Sequence, residues 1–241
     1  MLFVAEGTTD HGGNLICQLE GRRRKIDGGI GARREIIDAN GTVTIIDADP
    51  NQPIRRWAET TGEKKGLKVV GGVDEETIVD TIEMAAKESA FVIIDLEGSA
   101  NLMVGYAISR SDLVLVPVQG SYLDAEEGAK SIQLIKHTAK GFKTKIDYAV
   151  LLSRTNTAIQ ERTLRDVVEG FNDAGVDVMK VQMIDRAAFR SIFAFGGTIH
   201  DLNKSEVSGL DNAKENAAAF VEEVIARLNP KKVKARKRRA A

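Results

Sequence analysis

The sequence predicts an α/β fold: a doubly wound, mostly parallel sheet flanked by helices. Short apolar runs at residues 43–46, 91–94, 113–116 and 148–152 predict the strands. These runs do not alternate polar and apolar residues, so both faces of each strand should be buried, as in a parallel sheet. Amphipathic segments lie between the runs, and strand and helix alternate from residue 42 onward.

Three intervening segments have the apolar spacing of helices, residues 75–87, 162–174 and 211–228. The second of them stops at Gly175, which is predicted to cap its carboxyl end. The third begins at Asp211, a residue type suited to the N-cap position. Each helix can cover one face of the predicted sheet.

Length and composition indicate one folded domain. The 241 residues are 43% hydrophobic and 29% charged, the ordinary globular range. No apolar run approaches the roughly 20 residues that a membrane helix needs. The N-terminus carries acidic residues and no apolar core of signal-peptide length, so a cytoplasmic location is expected. A single cysteine, Cys17, excludes an internal disulfide.

The charge is unevenly distributed along the chain. The net charge is −1, yet seven of the last eleven residues are basic: Lys231, Lys232, Lys234, Arg236, Lys237, Arg238 and Arg239. Residues 230–241 therefore form a basic tail on an acidic body. Two interpretations stay open, a nonspecific contact with nucleic-acid phosphates and a solvated tail.

Residues 1–41 depart from the α/β pattern. Glycines and arginines are mixed there without helical or strand periodicity. A doubly wound domain should have its first strand, first loop and first helix in this region. The first strand and loop are therefore degraded, and the chain divides into an irregular segment 1–41, an α/β domain 42–229 and the basic tail.

Acidic residues follow two of the predicted strands. Asp47 and Asp49 close the strand of residues 43–46, and Asp95 closes that of residues 91–94. Ligands of open α/β sheets gather at the carboxyl ends of strands. Carboxylates there can hold Mg²⁺ through water or orient an attacking water. An aspartate after a strand can also be only a turn residue.

The spacing of these motifs resembles the ParA/MinD family of ATPases, which have a P-loop NTPase fold. The segment Asp47-Ala48-Asp49-Pro50-Asn51 is similar to that family's Asp-x-Asp-Pro-Gln signature, and residues 91–95 are similar to its Walker B strand. Residues 113–119 and 186–199 resemble later family segments in the same order. The resemblance covers about residues 42–228 and is strongest to plasmid and chromosome partition proteins.

The resemblance implies roles for individual residues. Asp49 would position the hydrolytic water, and Asp47 and Asp95 would lie at the metal. Arg154 and Asn156, after the strand of residues 148–152, would contact the base. The implied cofactors are ATP and Mg²⁺. The implied partners are nonspecific DNA, a second copy of the chain and a centromere-binding protein, with no membrane.

The phosphate-binding loop of that family is missing from the sequence. The loop reads Lys-Gly-Gly-x-Gly-Lys-[Ser/Thr]; its backbone N–H groups and second lysine hold the phosphates. Residues 28–33 are rich in glycine, but no Lys-Ser or Lys-Thr follows them. An arginine does not replace the compact lysine ammonium.

A reading-frame shift is one explanation for the missing loop. Permitted codons for residues 18–28, read one nucleotide later, encode Ser-Ser-Lys-Gly-Gly-Ala-Gly-Lys-Ser-Thr-Ala. The shift continued to residue 34 permits a helix, and the normal frame would resume at Glu35. A divergent N-terminus, or chance, is the alternative.

Three functions are compatible with the sequence. The first is a DNA-segregation ATPase that dimerises with ATP, impaired in this chain because its loop is missing. The second is a nucleotide-independent protein that keeps the fold and a DNA or partner surface. The third is a related metabolic ligase or synthetase, for which the sequence shows no substrate-binding residues.

Overall fold

A seven-stranded sheet forms the centre of the chain in the computed structural model, which describes residues 2–6, 42–96, 101–155 and 162–228. Its strands are β1 (Leu2–Glu6), β2 (Val43–Asp47), β3 (Leu67–Gly71), β4 (Phe91–Asp95), β5 (Leu113–Val118), β6 (Asp147–Thr155) and β7 (Met183–Ile184). They are ordered β3-β2-β4-β1-β5-β6-β7 across the sheet. The four predicted strands correspond to β2, β4, β5 and β6.

Helices connect the strands along the described chain. They are α1 (Pro53–Thr61), α2 (Ile78–Glu88), α3 (Leu102–Ser109), α4 (Tyr122–Phe142), α5 (Arg162–Asp173), α6 (Ala187–Phe195) and α7 (Leu210–Leu228). The predicted segments 75–87, 162–174 and 211–228 correspond to α2, α5 and α7. None of these described helices meets the length and apolarity needed to cross a membrane.

Direct pairing is parallel throughout the described sheet except at β1. The pairs β2–β3, β2–β4, β5–β6 and β6–β7 are parallel, which confirms the predicted mostly parallel sheet. β1 is antiparallel to both of its neighbours, β4 and β5. Its last residue, Glu6, lies opposite Phe91 at the start of β4. The chain therefore leaves β1 at the edge of the sheet opposite Asp47 and Asp95.

β1 is a strand in a segment for which the sequence predicts none. The glycines and arginines of residues 7–41 obscure the short run Leu2-Phe3-Val4-Ala5, which is long enough for one strand. The remainder of the segment, including the glycine-rich stretch, lies outside the described residues. β1 occupies the central position, between β4 and β5, so these two strands do not pair with each other directly.

Both faces of the sheet are buried, as the unbroken apolar strands predict. On one face, Val92 and Ile94 of β4 pack in a cluster with residues of α2, α3, α4 and α5. On the other face, Phe91 and Ile93 pack with α7 through Phe220, among others. Successive residues of one strand thus serve two separate cores.

The helix caps decide where two helices begin and end. Gly175 has φ +68°, its N–H donates to the Asn172 carbonyl, and the Val176 N–H donates to the Phe171 carbonyl. This pattern is a Schellman cap, and it confirms the predicted end of α5. The predicted N-cap position of Asp211 is wrong: Asp211 lies inside the first turn of α7, which begins one residue earlier at Leu210, and its carboxylate pairs with Lys204.

Candidate functional site

A cleft of about 310 Å³ opens at the carboxyl ends of β2 and β3. Parallel pairing aligns Asp47 of β2 with Asp95 of β4, so two of the predicted site residues are neighbours at this edge. Ten residues line the cleft: Asp47, Ala48, Asp49, Pro50, Gln52, Gly72, Val73, Asp74, Glu75 and Met103. The structure thus brings Asp47, Asp49 and Asp95 to one edge of the sheet.

Asp47 is fully buried and bonded to backbone donors. Its Oδ2 accepts the N–H of Arg55 at 2.8 Å, and its Oδ1 accepts the N–H of Asp49 at 3.3 Å. Arg55 is in the first turn of α1, where N–H groups have no partner inside the helix. The N-cap residue Gln52 makes no side-chain cap bond. Asp47 therefore caps α1 from a distance and ties the helix to the end of β2.

Asp49 lies half-buried in the turn between β2 and α1. Its Oδ1 accepts the N–H of Asn51 at 2.7 Å, and its carbonyl accepts the N–H of Gln52 at 2.9 Å. These bonds fix the turn and hold the carboxylate on the wall of the cleft. The geometry suits a residue that presents one carboxylate oxygen to a bound molecule.

Asp95 has a pKa above the ordinary aspartate value. Burial of the carboxyl group is the largest cause, and the negative charges of Asp47 and Asp49 act in the same direction. The ionised form of Asp95 is therefore disfavoured in the folded chain. Perturbed carboxyls of this kind are typical of functional sites.

Replacing Asp95 by asparagine is expected to stabilise the chain at neutral pH. A folded-state pKa above the unfolded value means that folding opposes ionisation, so stability falls as the pH rises through the two values. The gain from Asp95→Asn should be present at pH 7 and should vanish below about pH 3.9, where both states are protonated. Urea titrations across this pH range measure it.

The control variant for this prediction is Asp147→Asn, at an exposed aspartate at the start of β6. It should change the free energy of unfolding little at either pH. An Asp95→Asn variant that is less stable than the parent at pH 7 would contradict the assignment.

Two further acids of the cleft were not predicted. Asp74 and Glu75 follow β3 and line the cleft beside Asp49. The Thr77 hydroxyl and backbone N–H bond to the carboxylate of Asp74 and hold its pKa below the usual range. The sequence indicates only a turn after a strand here, at Gly71-Gly72-Val73-Asp74. This pattern matches no functional motif, so it does not point to a site.

Arg154, one of the two predicted base-contacting residues, lies farther across the sheet. Arg154 is exposed at the carboxyl end of β6, at a bulge and with φ +52°. A positive φ is uncommon in a residue other than glycine and directs this side chain away from the strand's regular alternation. Asn156 lies outside the described residues.

Two buried polar atoms belong to Thr155, which follows Arg154, and to Arg186, which follows the residue bonded to Thr155. Thr155 Oγ1 and Arg186 Nε have no hydrogen-bond partner within the described ranges. The N–H of Asp185 donates to the Thr155 carbonyl at 2.9 Å, which brings the start of the Arg186 segment to the end of β6. Buried polar atoms normally have partners, so these two atoms are exceptions among the described residues.

The acidic cleft, by contrast, does not fit a triphosphate with Mg²⁺. Its described lining holds four carboxyl side chains, Asp47, Asp49, Asp74 and Glu75, and no lysine or arginine. Within the described ranges, no three metal-ligating side chains lie close enough to hold an ion. Like charges repel phosphates unless a cationic loop compensates for them. The described residues supply no such loop.

The fold and this edge define a class, the doubly wound α/β proteins with acidic residues at the carboxyl ends of parallel strands. The family model described as VirC1 protein matches residues 15–229. The protein ParA of Rhizobium radiobacter is 35% identical over 186 residues, which cover 77% of this chain and 83% of that protein. The chain therefore belongs to the VirC1 family and to the wider ParA group of partition ATPases.

Solved structures of low sequence identity share the fold. The MinD cell division protein of Aquifex aeolicus gives a TM-score of 0.54 at 14% identity, over 76% of this chain and 86% of that one. A plasmid partition protein of Borrelia burgdorferi B31, bound to AMPPNP, gives a TM-score of 0.52 at 14% identity, over 81% and 96%. These similarities confirm the predicted fold class, and the family model and the 35% identical relative confirm the predicted family resemblance.

Proposed function

We propose that this chain is a ParA-like protein of DNA partitioning whose nucleotide chemistry is impaired by the lack of a phosphate-binding loop. The observation that carries the proposal is the edge formed by Asp47, Asp49 and Asp95, in family order, on a ParA-type sheet. In a chain with a complete loop, Asp49 would position the hydrolytic water, and Asp47 and Asp95 would lie beside Mg²⁺. Arg154 and Asn156 would contact the base of ATP.

The direction of β1 supports the impairment. A loop that directly follows a central parallel strand would lie at the same edge as Asp47 and Asp95. β1 ends at Glu6, at the other edge of the sheet. The present first strand therefore cannot deliver the residues after it directly to the acidic cleft.

The shifted reading frame supports a lost loop rather than an absent one. Applied to residues 11–17, the same one-nucleotide shift permits Met-Val-Val-Ile-Ser-Ser-Ala, and the loop sequence of residues 18–28 follows without a break. One shift thus permits a start residue, an apolar strand and the loop, in the order that a parallel central strand requires. We infer that the gene once encoded this segment and lost it through a frameshift, or that it still encodes the segment and a sequencing error conceals it.

The deciding experiment compares the present chain with a restored chain, in which the shifted reading replaces residues 1–34. The restored chain is expected to hydrolyse ATP with Mg²⁺. The present chain should give the same rate of phosphate release as a reaction without protein. In the restored chain, Asp49→Ala should lower the hydrolysis rate on the order of 100-fold, the contribution of a well-placed group that orients water. Phosphate release measures all three.

The matched control is the restored chain with the second lysine of its loop replaced by alanine. It should fold like the restored chain and lose ATP binding and hydrolysis. Hydrolysis by the present chain at the restored rate, or none by a folded restored chain, would overturn the proposal. Sequencing of the genomic region tests the frameshift separately.

Association with a second copy is the next part of the proposal. Leu102, Tyr122 and Leu123 begin α3 and α4 at the edge where β4 and β5 end, and their exposed fractions are 63%, 60% and 75%. Exposed apolar side chains grouped at one edge favour association. We propose that the restored chain forms an ATP-dependent homodimer in the cytoplasm. This dimer would recruit a centromere-binding protein. Light scattering with and without ATP tests the dimer.

Nonspecific DNA binding is assigned to the basic tail of residues 230–241. The alternative function is nucleotide-independent binding to DNA or a partner, which the missing loop favours for the present chain. In that case DNA binding by the present chain should be unaffected by ATP and abolished by deletion of the tail. Binding that requires ATP would reject this alternative.

A further inference from the structure

A group of basic side chains lies at the carboxyl end of α4, which we call the α4 lysine patch: Lys136, His137, Lys140, Lys143 and Lys145. All five side chains are exposed. None of them forms an ion pair with another residue of the described ranges. The nearest acidic residue that follows in sequence is Asp147, so the four lysines leave an excess of positive charge here.

The lysines are spaced to follow a line of negative charges. Lys136, Lys140 and Lys143 are three or four residues apart, which places them on one side of the helix at intervals of about 4.5–6 Å along its axis. Lys145 continues the group toward β6. Duplex DNA carries one negative charge per about 1.7 Å of its axis, so several phosphates can meet this line of ammonium groups.

Lys143 occupies a position where the backbone favours glycine. It has φ +53°, its N–H donates to the Lys140 carbonyl at 3.3 Å, and the Thr144 N–H donates to the Ala139 carbonyl at 3.0 Å. This is a Schellman cap, whose left-handed residue is usually glycine because a Cβ is unfavourable there. A lysine at this position costs stability, and its benefit therefore lies outside the cap.

The patch and the described end of α7, which precedes the basic tail in sequence, lie toward the same edge of the sheet. α4 ends next to the start of β6, where Asp147 pairs with Leu113 at the start of β5. α7 packs Val224 and Leu228 against the cluster that contains Val43 and Phe91, the first residues of β2 and β4. α7 runs from Asn216, which accepts the N–H of Ile184 in β7, to Arg227, which pairs with Asp177 before β7, so it ends toward the edge where the strands begin. Seven basic residues follow it in sequence.

We propose that the α4 lysine patch is a second contact for the phosphate backbone of duplex DNA, which acts together with the tail. The proposal extends the DNA binding proposed above, which assigns the contact to the tail alone. An anionic membrane is the less favoured ligand. Phe142, which lies beside the patch, is 50% exposed, but its ring packs edge-on against Tyr106 with ring centroids 6.3 Å apart, and one such ring is a small apolar surface for insertion into a membrane.

The experiment measures binding of the present full chain to labelled random-sequence duplex DNA by fluorescence anisotropy over a range of KCl concentrations. The patch variant carries Lys136→Gln, Lys140→Gln, Lys143→Gln and Lys145→Gln. We expect at least about tenfold weaker binding at low salt, and a salt-dependence slope smaller by about 3–4 for four lost phosphate contacts. Circular dichroism checks that the variant is folded.

The matched control removes the same number of charges elsewhere, through Lys65→Gln, Lys87→Gln, Lys130→Gln and Lys180→Gln, all at exposed positions. It should bind DNA nearly like the parent. Equal affinity and slope for the patch variant and the control would overturn the inference. A second assay measures binding to phosphatidylglycerol vesicles. A patch variant that binds these vesicles more weakly but binds DNA like the control would also overturn the inference. Lys143→Gly supplies an independent check, since it should raise the thermal midpoint and still weaken DNA binding.

The tail deletion separates this inference from the proposed function. Binding that is weakened by the deletion and also, in a separate variant, by the patch substitutions supports both. DNA binding that depends on the tail and ignores the patch overturns only the inference drawn here. A parent chain that does not bind DNA at low salt overturns both.

Discussion

Replacement of Phe91 by alanine is expected to lower the free energy of unfolding by about 3–5 kcal/mol. Phe91 is the first residue of β4 and is fully buried. Its ring packs in the cluster that holds the sheet against α7, with Phe220 and Val224 among its members. Truncation removes buried apolar surface and leaves a cavity between two rigid elements that cannot close around it.

Equilibrium denaturation in urea measures this effect. The control is Phe195→Ala, because the Phe195 side chain is 74% exposed and should contribute less than about 0.5 kcal/mol. Phe91→Leu should lie between the two, since leucine fills part of the space. Equal midpoints for Phe91→Ala and Phe195→Ala would show that α7 does not pack on the start of β4 in solution.

Replacement of Asp47 by alanine is expected to cost about 1.5–3 kcal/mol, the usual contribution of hydrogen bonds to a charged group. The change leaves the N–H groups of Arg55 and Asp49 without their buried acceptor. It also removes a negative charge from the amino end of α1, where the helix dipole favours one. The loss should be concentrated in α1 and the turn before it.

Hydrogen exchange locates the effect along the chain, and urea denaturation gives its size. Asp47→Asn keeps one acceptor oxygen for the Arg55 N–H and should lose less stability than Asp47→Ala. Asp147→Ala, at an exposed aspartate at the start of another strand, is the matched control and should be nearly neutral. If Asp47→Ala is as stable as this control, the hydrogen bonds of Asp47 do not stabilise the fold, and its role is confined to ligand binding.

Four strands could be predicted because a buried parallel strand has an unbroken apolar run in the sequence. These are the strands at residues 43–46, 91–94, 113–116 and 148–152. Such a run indicates that both faces of the strand are buried, whichever helices cover them. The order of Asp47, Asp49 and Asp95 after these strands was equally local. So was the absence of a Gly-Lys-Ser or Gly-Lys-Thr loop, which is a property of the sequence alone.

The direction of β1 could not be read in the same way. An apolar run of four residues does not determine the direction of its neighbours, so it is compatible with parallel and with antiparallel pairing. Long-range pairing with β4 and β5 sets its direction, and that pairing places Glu6 opposite Phe91. The consequence for the acidic cleft follows from this register and not from any local motif.

The sequence by itself determined the fold class, the family resemblance, the acidic residues and the missing loop, because each is written in neighbouring residues. Tertiary structure decided how these parts meet. It buried Asp47 against the N–H of Arg55, added Asp74 and Glu75 to the cleft, and raised the pKa of Asp95. These are effects of burial and charge between segments far apart in sequence, which only the folded chain brings together.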